Sequence, residues 1–431
     1  MANISPPDLN TFIDQLLAAR EQHLAHRPLR EVLASIDAVI TRFLDPQSEE
    51  RREAEITLPA ETDLSPAMLR HTLPLVFQEY RAERLAQLLQ DELGDVNALD
   101  TFVSINGKRR RAYGPALTTH VLAGNLPGAG LDSVIFSLLV KSATLVKASS
   151  HAPSLPRLFA RTLAQIDPEL GASLGVVTWQ GGTAELEDVA FGRADVVVAS
   201  GSDKSLASIR PRVRGRFIGY GHKVSFAVIS KETLEDVHTV ASKAAYDVAL
   251  FDQQGCLSPQ LIYVEEGGAI TPQAFASILA EALAAWERTL PRGNVPQEAS
   301  VTIRRARDEA EWQALAGKDV AVYASSRGTA WTVIYEGDPT FVPSPLYRTI
   351  RVKPFSSFTQ LHELLTPWQP YLEAVGLAVH ATRSTHLAEV LGQAGVTRIC
   401  PVGTMQLPPL SWQHGGRPRI ADLVRWAERE E

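Results

Sequence analysis

The sequence predicts an α/β fold: parallel sheets wound with helices on both faces, arranged in two successive units, with a charged hairpin projecting from the body. Three observations predict it. From Thr119 onward, short Val-rich runs alternate with helix-length stretches, the pattern of βαβ units whose strands are buried on both faces. The dipeptide Asn106-Gly107 stands between two strand-like arms, a two-residue hairpin signal. The chain has 431 residues, 45% of them apolar and 21% charged. That is ordinary composition for a soluble globular protein, but too long for one core, so two or three domains are expected.

The elements follow in order. Residues 1–95 read as helical. Leu9, Phe12, Ile13, Leu16 and Leu17 share one helix face, and a second helix is expected from Met68 to Leu93. Residues 96–118 contain the hairpin arm, an element of the kind used in oligomer contact. In 119–230, strands are expected at HVLAG (120–124), ATLVKAS (143–149), GVVTW (175–179) and ADVVVAS (194–200). Helices are expected from Leu131 to Lys141 and in PSLPRLFARTLAQI, TAELEDVAF and SDKSLASI. A second α/β unit spans 231–395. It runs through the helix ETLEDVHTVASKAAYDVALF, the strand QLIYVEE and the helix TPQAFASILAEALAAWERTL. AVYASS and TAWTVIYEG read as a hairpin or adjacent strands, followed by strands in YRTIRVKPF and GLAVHA. Residues 396–431 should supply a strand, VTRICPV, and one closing amphipathic helix in WQHGGRPRIADLVRWAERE.

Several function classes are disfavoured. A net charge of −7 argues against nucleic-acid binding through overall charge. The basic run Lys108–Arg111 reads as a solvated hairpin tip, with a phosphate-rich ligand such as coenzyme A as the alternative. The cysteines, Cys256 and Cys400, suggest no disulfide framework and a reducing compartment. There is no apolar run of ~18 residues and no basic-then-apolar leader, so a cytoplasmic protein is expected. The histidines show no paired metal-ligand spacing, and no metal is expected.

Ligands of wound parallel sheets bind at the carboxyl ends of the strands. Here those ends carry Gly124-Asn125, Lys147, Gly181-Gly182 and Gly201-Ser202. Asn125 is either a turn residue or an amide donor to an oxyanion. Cys256 sits in FDQQGCLSPQ (251–260) among polar and turn-forming residues rather than in an apolar core. Gly255 beside it leaves room for close approach. The loop by itself admits a nucleophile or a small residue in a tight turn. Cys400 reads as a buried strand cysteine, and Trp412 and Trp426 as packing residues.

The run VLAGNLPGAGLDSVIFSLLVKSATLVKASSHAP (121–153) resembles the cofactor-domain core of the aldehyde dehydrogenase superfamily. FDQQGCLSPQ resembles the nucleophile loop of the acyl-CoA reductase family, which includes the fatty-acid reductase of bacterial luminescence. PVGTMQLPPLSWQHGG (401–416) is similar to that family too, although His414-Gly415-Gly416 stands where its members more often have His-Asp-Gly. The resemblance covers about residues 100–431. It implies a Rossmann-type cofactor domain, a second α/β catalytic domain and an oligomerisation hairpin. By position it implies that Cys256 is the nucleophile and that Asn125, with the Cys256 N–H, forms an oxyanion hole. Lys147 would hold the adenosine ribose, and Gly201-Ser202 would pack on the pyrophosphate and nicotinamide.

Two departures sharpen what the resemblance implies. Hydrolytic relatives carry a water-activating glutamate where this chain has Gly219, in GYGHK, so an acyl-enzyme should outlive water attack. NAD-preferring relatives carry an acidic residue where this chain has Ser150, preceded by Ser149, so NADPH is expected, with NADH also usable. The glutamate that contacts the nicotinamide ribose has no clear counterpart in YRTIRVKPF. His222 is an auxiliary candidate that could tune the thiol or donate a proton, or else a structural or surface histidine. The implied reaction is NADPH-dependent reduction of an acyl-CoA, fatty acyl by resemblance, to the aldehyde through acyl-Cys256. The alternatives are a reductase fed by a carrier protein or acyl-transfer partner, or a non-catalytic binding or assembly relative. A hydrolytic dehydrogenase is disfavoured by Gly219. A homo-oligomer is expected.

Overall fold

A computed structural model of the chain describes residues 4–124, 126 and 128–430. The chain forms two compact units. One comprises Met1–Thr62, Leu73–His222 and Pro409–Glu431; the other comprises Asp63–Thr72 and Lys223–Pro408. Strand VSFAVI, absent from the sequence expectation, starts the second unit ahead of Lys231.

Helices α1 (Pro6–Ala19), α2 (Leu29–Leu44), α3 (Glu49–Thr62), α4 (Pro66–Phe77) and α5 (Ala82–Leu93) open the chain. Ser5 caps α1 by accepting from Asp8 N, and Leu9, Ile13 and Leu16 are buried on one face. The single helix expected from Met68 to Leu93 is broken. A 3₁₀ turn at Gln78–Tyr80 ends at Arg81 (φ −64°, ψ 145°). Asp37 holds the break, accepting from Ala82 N at 2.8 Å and pairing with Arg81 at 2.7 Å.

Strands β1 (Val103–Ile105) and β2 (Lys108–Tyr113) form the hairpin. Asn106 and Gly107 both have positive φ, 52° and 77°, as a type I′ turn requires. The closing helix expected in the tail is not formed. Residues Arg425–Arg429 are a strand antiparallel to β2, with Trp426 opposite Ala112 and Glu428 opposite Arg110. Glu428 pairs with Lys108 at 3.1 Å and Arg110 at 2.6 Å. The Arg111 and Arg425 guanidinium groups both lie over the Tyr113 ring. These cross-strand partners override the helix propensity of the Ala, Glu and Arg residues.

The sheet of the first unit is wholly parallel, in the order β5-β4-β3-β6-β7. Its strands are β3 (Leu117–Val121), β4 (Ala143–Lys147), β5 (Leu174–Val177), β6 (Val196–Ser200) and β7 (Arg216–Tyr220). Helices α6 (Leu131–Leu139), α7 (Ser154–Ile166), α8 (Pro168–Gly171), α9 (Ala184–Gly192) and α10 (Asp203–Ile209) connect them. The order reverses between β3 and β6, which places a switch-point crevice beyond their carboxyl ends. Strand β3 begins before the expected HVLAG because its polar residues are buried and bonded. Thr118 meets Ser142 at 2.9 Å, Thr119 donates to Ala190 O at 3.0 Å, and His120 meets Ser137 at 2.8 Å.

The second unit holds a seven-stranded sheet in the order β10-β11-β12-β9-β8-β13-β14, antiparallel only between β10 and β11. Its strands are β8 (Val224–Ile229), β9 (Pro259–Glu265), β10 (Val320–Ala324), β11 (Thr332–Glu336), β12 (Thr349–Phe355), β13 (Leu372–Ala378) and β14 (Arg398–Pro401). Helices α11 (Val237–Ala249) and α12 (Pro272–Thr289) bury Ala244, Val248, Phe275 and Leu279 against Ala227, Ile229, Ile262 and Val264. Helices α14 (Phe358–Leu365) and α15 (Ala381–Gln393) cover the other face, against Phe226, Val228, Leu261 and Tyr263. Helix α13 (Gln297–Leu315) precedes β10. The helix expected from Glu232 to Phe251 is shorter, because Lys231–Asp236 is a 3₁₀ turn. Among the described residues no helix is long and apolar enough to cross a membrane.

Candidate active site

The thiol loop lies between α11 and β9. After Ala249 the chain leaves the right-handed region. Phe251, Asp252 and Gln253 take φ of 52°, 53° and 62°, which for non-glycine residues costs roughly 1–2 kcal/mol each. Three side chains tie the loop that follows. The Gln253 amide donates to Pro259 O at 2.8 Å and so joins the loop's two ends. Gly255 N donates to Ser258 Oγ at 3.1 Å. Ser225 Oγ, from β8, donates to Cys256 O at 2.7 Å and accepts from Ala374 N on β13 at 3.2 Å. Gly255, Leu257 and Ser258 are buried, whereas Cys256 is exposed.

Cys256 is exposed as a residue, but protein surrounds its sulfur closely enough for desolvation to dominate the thiol's acidity. With the Glu373 carboxylate adding to that effect, its pKa is pushed up to about 12; backbone N–H groups of the loop and Arg398 act in the opposite direction. Glu373 on β13 is fully buried and accepts from Thr397 Oγ1 at 2.9 Å. Arg398 on β14 donates to Met405 O and to Thr404 O. Desolvation lowers the Arg398 pKa, against the pull of Cys400, Asp247, Cys256 and Glu373. Asp247 on α11 caps the 403–405 turn through Gly403 N and Met405 N, and burial raises its pKa to about 7. Sequence reasoning missed Ser225, Glu373, Arg398 and Asp247. They are single polar residues in strands and one helix; strand order brings Ser225, Glu373 and Arg398 to act on Cys256, and Asp247 holds the 403–405 turn to which Arg398 donates. Cys400, expected to be buried, is half-buried on β14, with its Sγ 3.6 Å from Val375 O.

In the first unit, the order of the parallel sheet gathers the expected cofactor residues on one rim. Lys147 ends β4, half-buried; desolvation lowers its pKa, while Glu187 acts to raise it. Among the described residues its ammonium has no ion-pair partner within 4.0 Å. Ser149 accepts from His151 N at 3.2 Å, and Ser150 donates to Trp179 O at 3.3 Å. A Cβ on Gly124 would lie 2.3 Å from Ser149 Oγ, so only glycine lets these two turns meet. Gly201 donates to Tyr220 O at 3.1 Å, and Ser202 caps α10 by accepting from Ser205 N at 3.2 Å. A cation at one strand end, hydroxyls at the next turn and glycine at the third suit a dinucleotide's ribose and phosphates.

Gly219 is in β7, where a Cβ would lie 2.9 Å from the Phe217 ring. His222 is exposed and its N–H donates to Asp203 Oδ1 at 3.2 Å. His414 stacks on Tyr220 with ring centroids 4.0 Å apart, and Trp412 lies 4.7 Å from His414. Asn125 lies outside the described residues. Among those described, no group of three or more His, Cys, Asp and Glu residues is arranged to hold a metal ion.

Comparison with known proteins places this architecture. The long-chain acyl-protein thioester reductase of Photorhabdus laumondii is 24% identical over 353 residues, covering 80% of this chain and 70% of the relative. The long-chain acyl-protein thioester reductase 2 of Photobacterium leiognathi is 24% identical over 363 residues, with the same coverage. Among solved structures, a NAD-dependent benzaldehyde dehydrogenase from Corynebacterium glutamicum superposes with a TM-score of 0.74 at 15% identity, covering 98% of this chain and 90% of that one. The fold is therefore that of the aldehyde dehydrogenases. The sequence profile described as acyl-CoA reductase (LuxC) matches residues 24–426, and the chain belongs to that family.

Proposed function

We propose that this chain reduces an acyl thioester, a fatty acyl-CoA in the first instance, to its aldehyde through an acyl thioester on Cys256. The observation that carries the reading is the free, exposed residue Cys256 on a loop tied at both ends by Gln253 and braced by Ser225. After losing its proton to solvent, the sulfur attacks the acyl carbonyl; a C–S bond to Cys256 forms, the C–S bond to the donor breaks, and the donor leaves as a thiolate that takes up a proton from solvent. Asn125 and the Cys256 N–H hold the oxyanion. A reduced nicotinamide dinucleotide, when bound, supplies the hydride that takes the acyl carbon to the aldehyde level. The sulfur then departs as thiolate, ready for another acyl group. Lys147 engages the adenosine ribose. Ser149 and Ser150 place hydroxyls where a carboxylate would repel a 2′-phosphate, which favours NADPH while leaving NADH usable. With glycine at 219, no side chain at that position activates water, so reduction outpaces hydrolysis.

A second reading concerns the donor. The related proteins above are named for acyl-protein substrates, and an acyl group delivered on a partner protein would enter the same chemistry.

The test is to incubate wild-type, Cys256→Ala and Cys256→Ser proteins with labelled acyl-CoA, with and without NADPH. Wild type should gain one acyl label without NADPH and release aldehyde with it. Both variants should lose label and turnover. A Cys256→Ala protein that still carries label and turns over at the wild-type rate would overturn the reading.

A further inference from the structure

We infer that Arg348 is a positioning residue for the Cys256 thiol, acting through Asp252 and Gln253. The inference rests on the proposed role of Cys256 as nucleophile.

The left-handed run Phe251–Gln253 has a counterpart in the chain. Leu346, Tyr347 and Arg348, leading into β12, take φ of 67°, 52° and 61°. None of these six residues is glycine. Consecutive left-handed residues persist only where surrounding structure over-determines them, and here each run is held by the other. Arg348 Nε donates to Asp252 Oδ1 at 2.9 Å, and its Nη2 lies 2.6 Å from the same oxygen. The Gln253 amide is bonded in both senses: its Oε1 accepts from Thr349 N at 2.8 Å, and its Nε2 donates to Thr349 O at 3.0 Å. Asp252 Oδ2 accepts from Gly293 N at 3.0 Å, and Arg348 Nη1 pairs with Glu287 at 2.7 Å. The Arg348 and Asp252 side chains are 1% and 0% exposed.

The construction contributes little to stability. A buried ion pair seldom outperforms apolar packing of the same volume, and six left-handed residues are a cost. What it does is fix geometry. Gln253 is three positions before Cys256, and its amide also reaches Pro259 O on the far side of the cysteine. Both ends of the five-residue segment 254–258 are therefore fixed to β12 through one side chain, and Arg348 locks the backbone from which that side chain departs. A misplacement of about 1 Å at a reacting atom can lower a rate about 100-fold.

The experiment compares wild type with Arg348→Met and Arg348→Lys in the full chain. It reads single-turnover acylation of Cys256 by labelled dodecanoyl-CoA, alkylation of Cys256 by iodoacetamide, and thermal unfolding. A small alkylating agent approaches from many directions, whereas acyl transfer needs one. Arg348→Met should acylate about 100-fold more slowly, with alkylation equal to or faster than wild type. Arg348→Lys keeps the charge but not the planar fork and should recover part of the loss. If Arg348→Met does not fold, Asp252→Asn, isosteric and leaving the Glu287 pair intact, should slow acylation about tenfold in the same comparison. A folded Arg348→Met that acylates at the wild-type rate overturns the inference, as does a loss of acylation matched by an equal loss of alkylation. Wild-type protein that is alkylated but never acylated at Cys256 would instead refute the nucleophile reading.

Discussion

At the scale of single residues, the acidity of Cys256 sets a measurable property. Desolvation pushes its pKa up to about 12, so between pH 7 and 9 nearly all of it is thiol, and the reactive thiolate fraction rises tenfold per pH unit. Alkylation of Cys256 by iodoacetamide in the cofactor-free protein should rise about tenfold per unit across that range without levelling. Mass spectrometry of the Cys256 peptide separates it from Cys400. A plateau below pH 9 would contradict a desolvated thiol. The sequence exposed this residue through its loop, since FDQQGC puts a cysteine among turn formers. It did not expose the partners that shape the loop. Arg348 is 96 positions from Asp252, and Glu373 is a lone acid in an apolar strand; nothing local marks either, because their role depends on which strands become neighbours.

At the scale of elements, the hairpin shows local and tertiary signals agreeing, and the tail shows them in conflict. Asn106-Gly107 specified its turn outright. Gly107 has φ 77° and nothing within 4 Å of where a Cβ would stand, so Gly107→Ala tests the backbone alone. It should cost roughly 1–2 kcal/mol, read as a melting temperature lower by a few degrees with activity retained. An unchanged melt would mean the turn contributes nothing to global stability. The C-terminal segment was misread for the opposite reason. Leu423-Val424-Arg425-Trp426-Ala427-Glu428 carries helix formers at helical spacing, and the deciding partners, Lys108 and Arg110, are more than 300 positions away. Likewise, the break at Arg81 needs Asp37, and β3 needs Ser137 and Ser142 to satisfy its polar face. Elements with strong internal periodicity, such as α1, α7 and α12, were legible; those decided by distant pairing were not.

At the scale of the whole molecule, the α/β class was readable because strands and helices alternate along the chain. The donor is a property of this scale. If acyl-CoA and an acyl-protein load the same sulfur, the second half of the reaction cannot remember which one did so. Protein preloaded from either donor and freed of it should oxidise NADPH at the same single-turnover rate. Rates that depend on the donor would refute a common acyl-Cys256.

The crowding of Gly219 by Phe217 bears on how position 219 can change. A glutamate introduced at this position would displace the Phe217 ring from its place beside the backbone, because even a Cβ falls 2.9 Å from the ring edge. Pairing the glutamate with a smaller residue at 217 removes that crowding, so the two positions on β7 are coupled and belong in one double-substitution cycle.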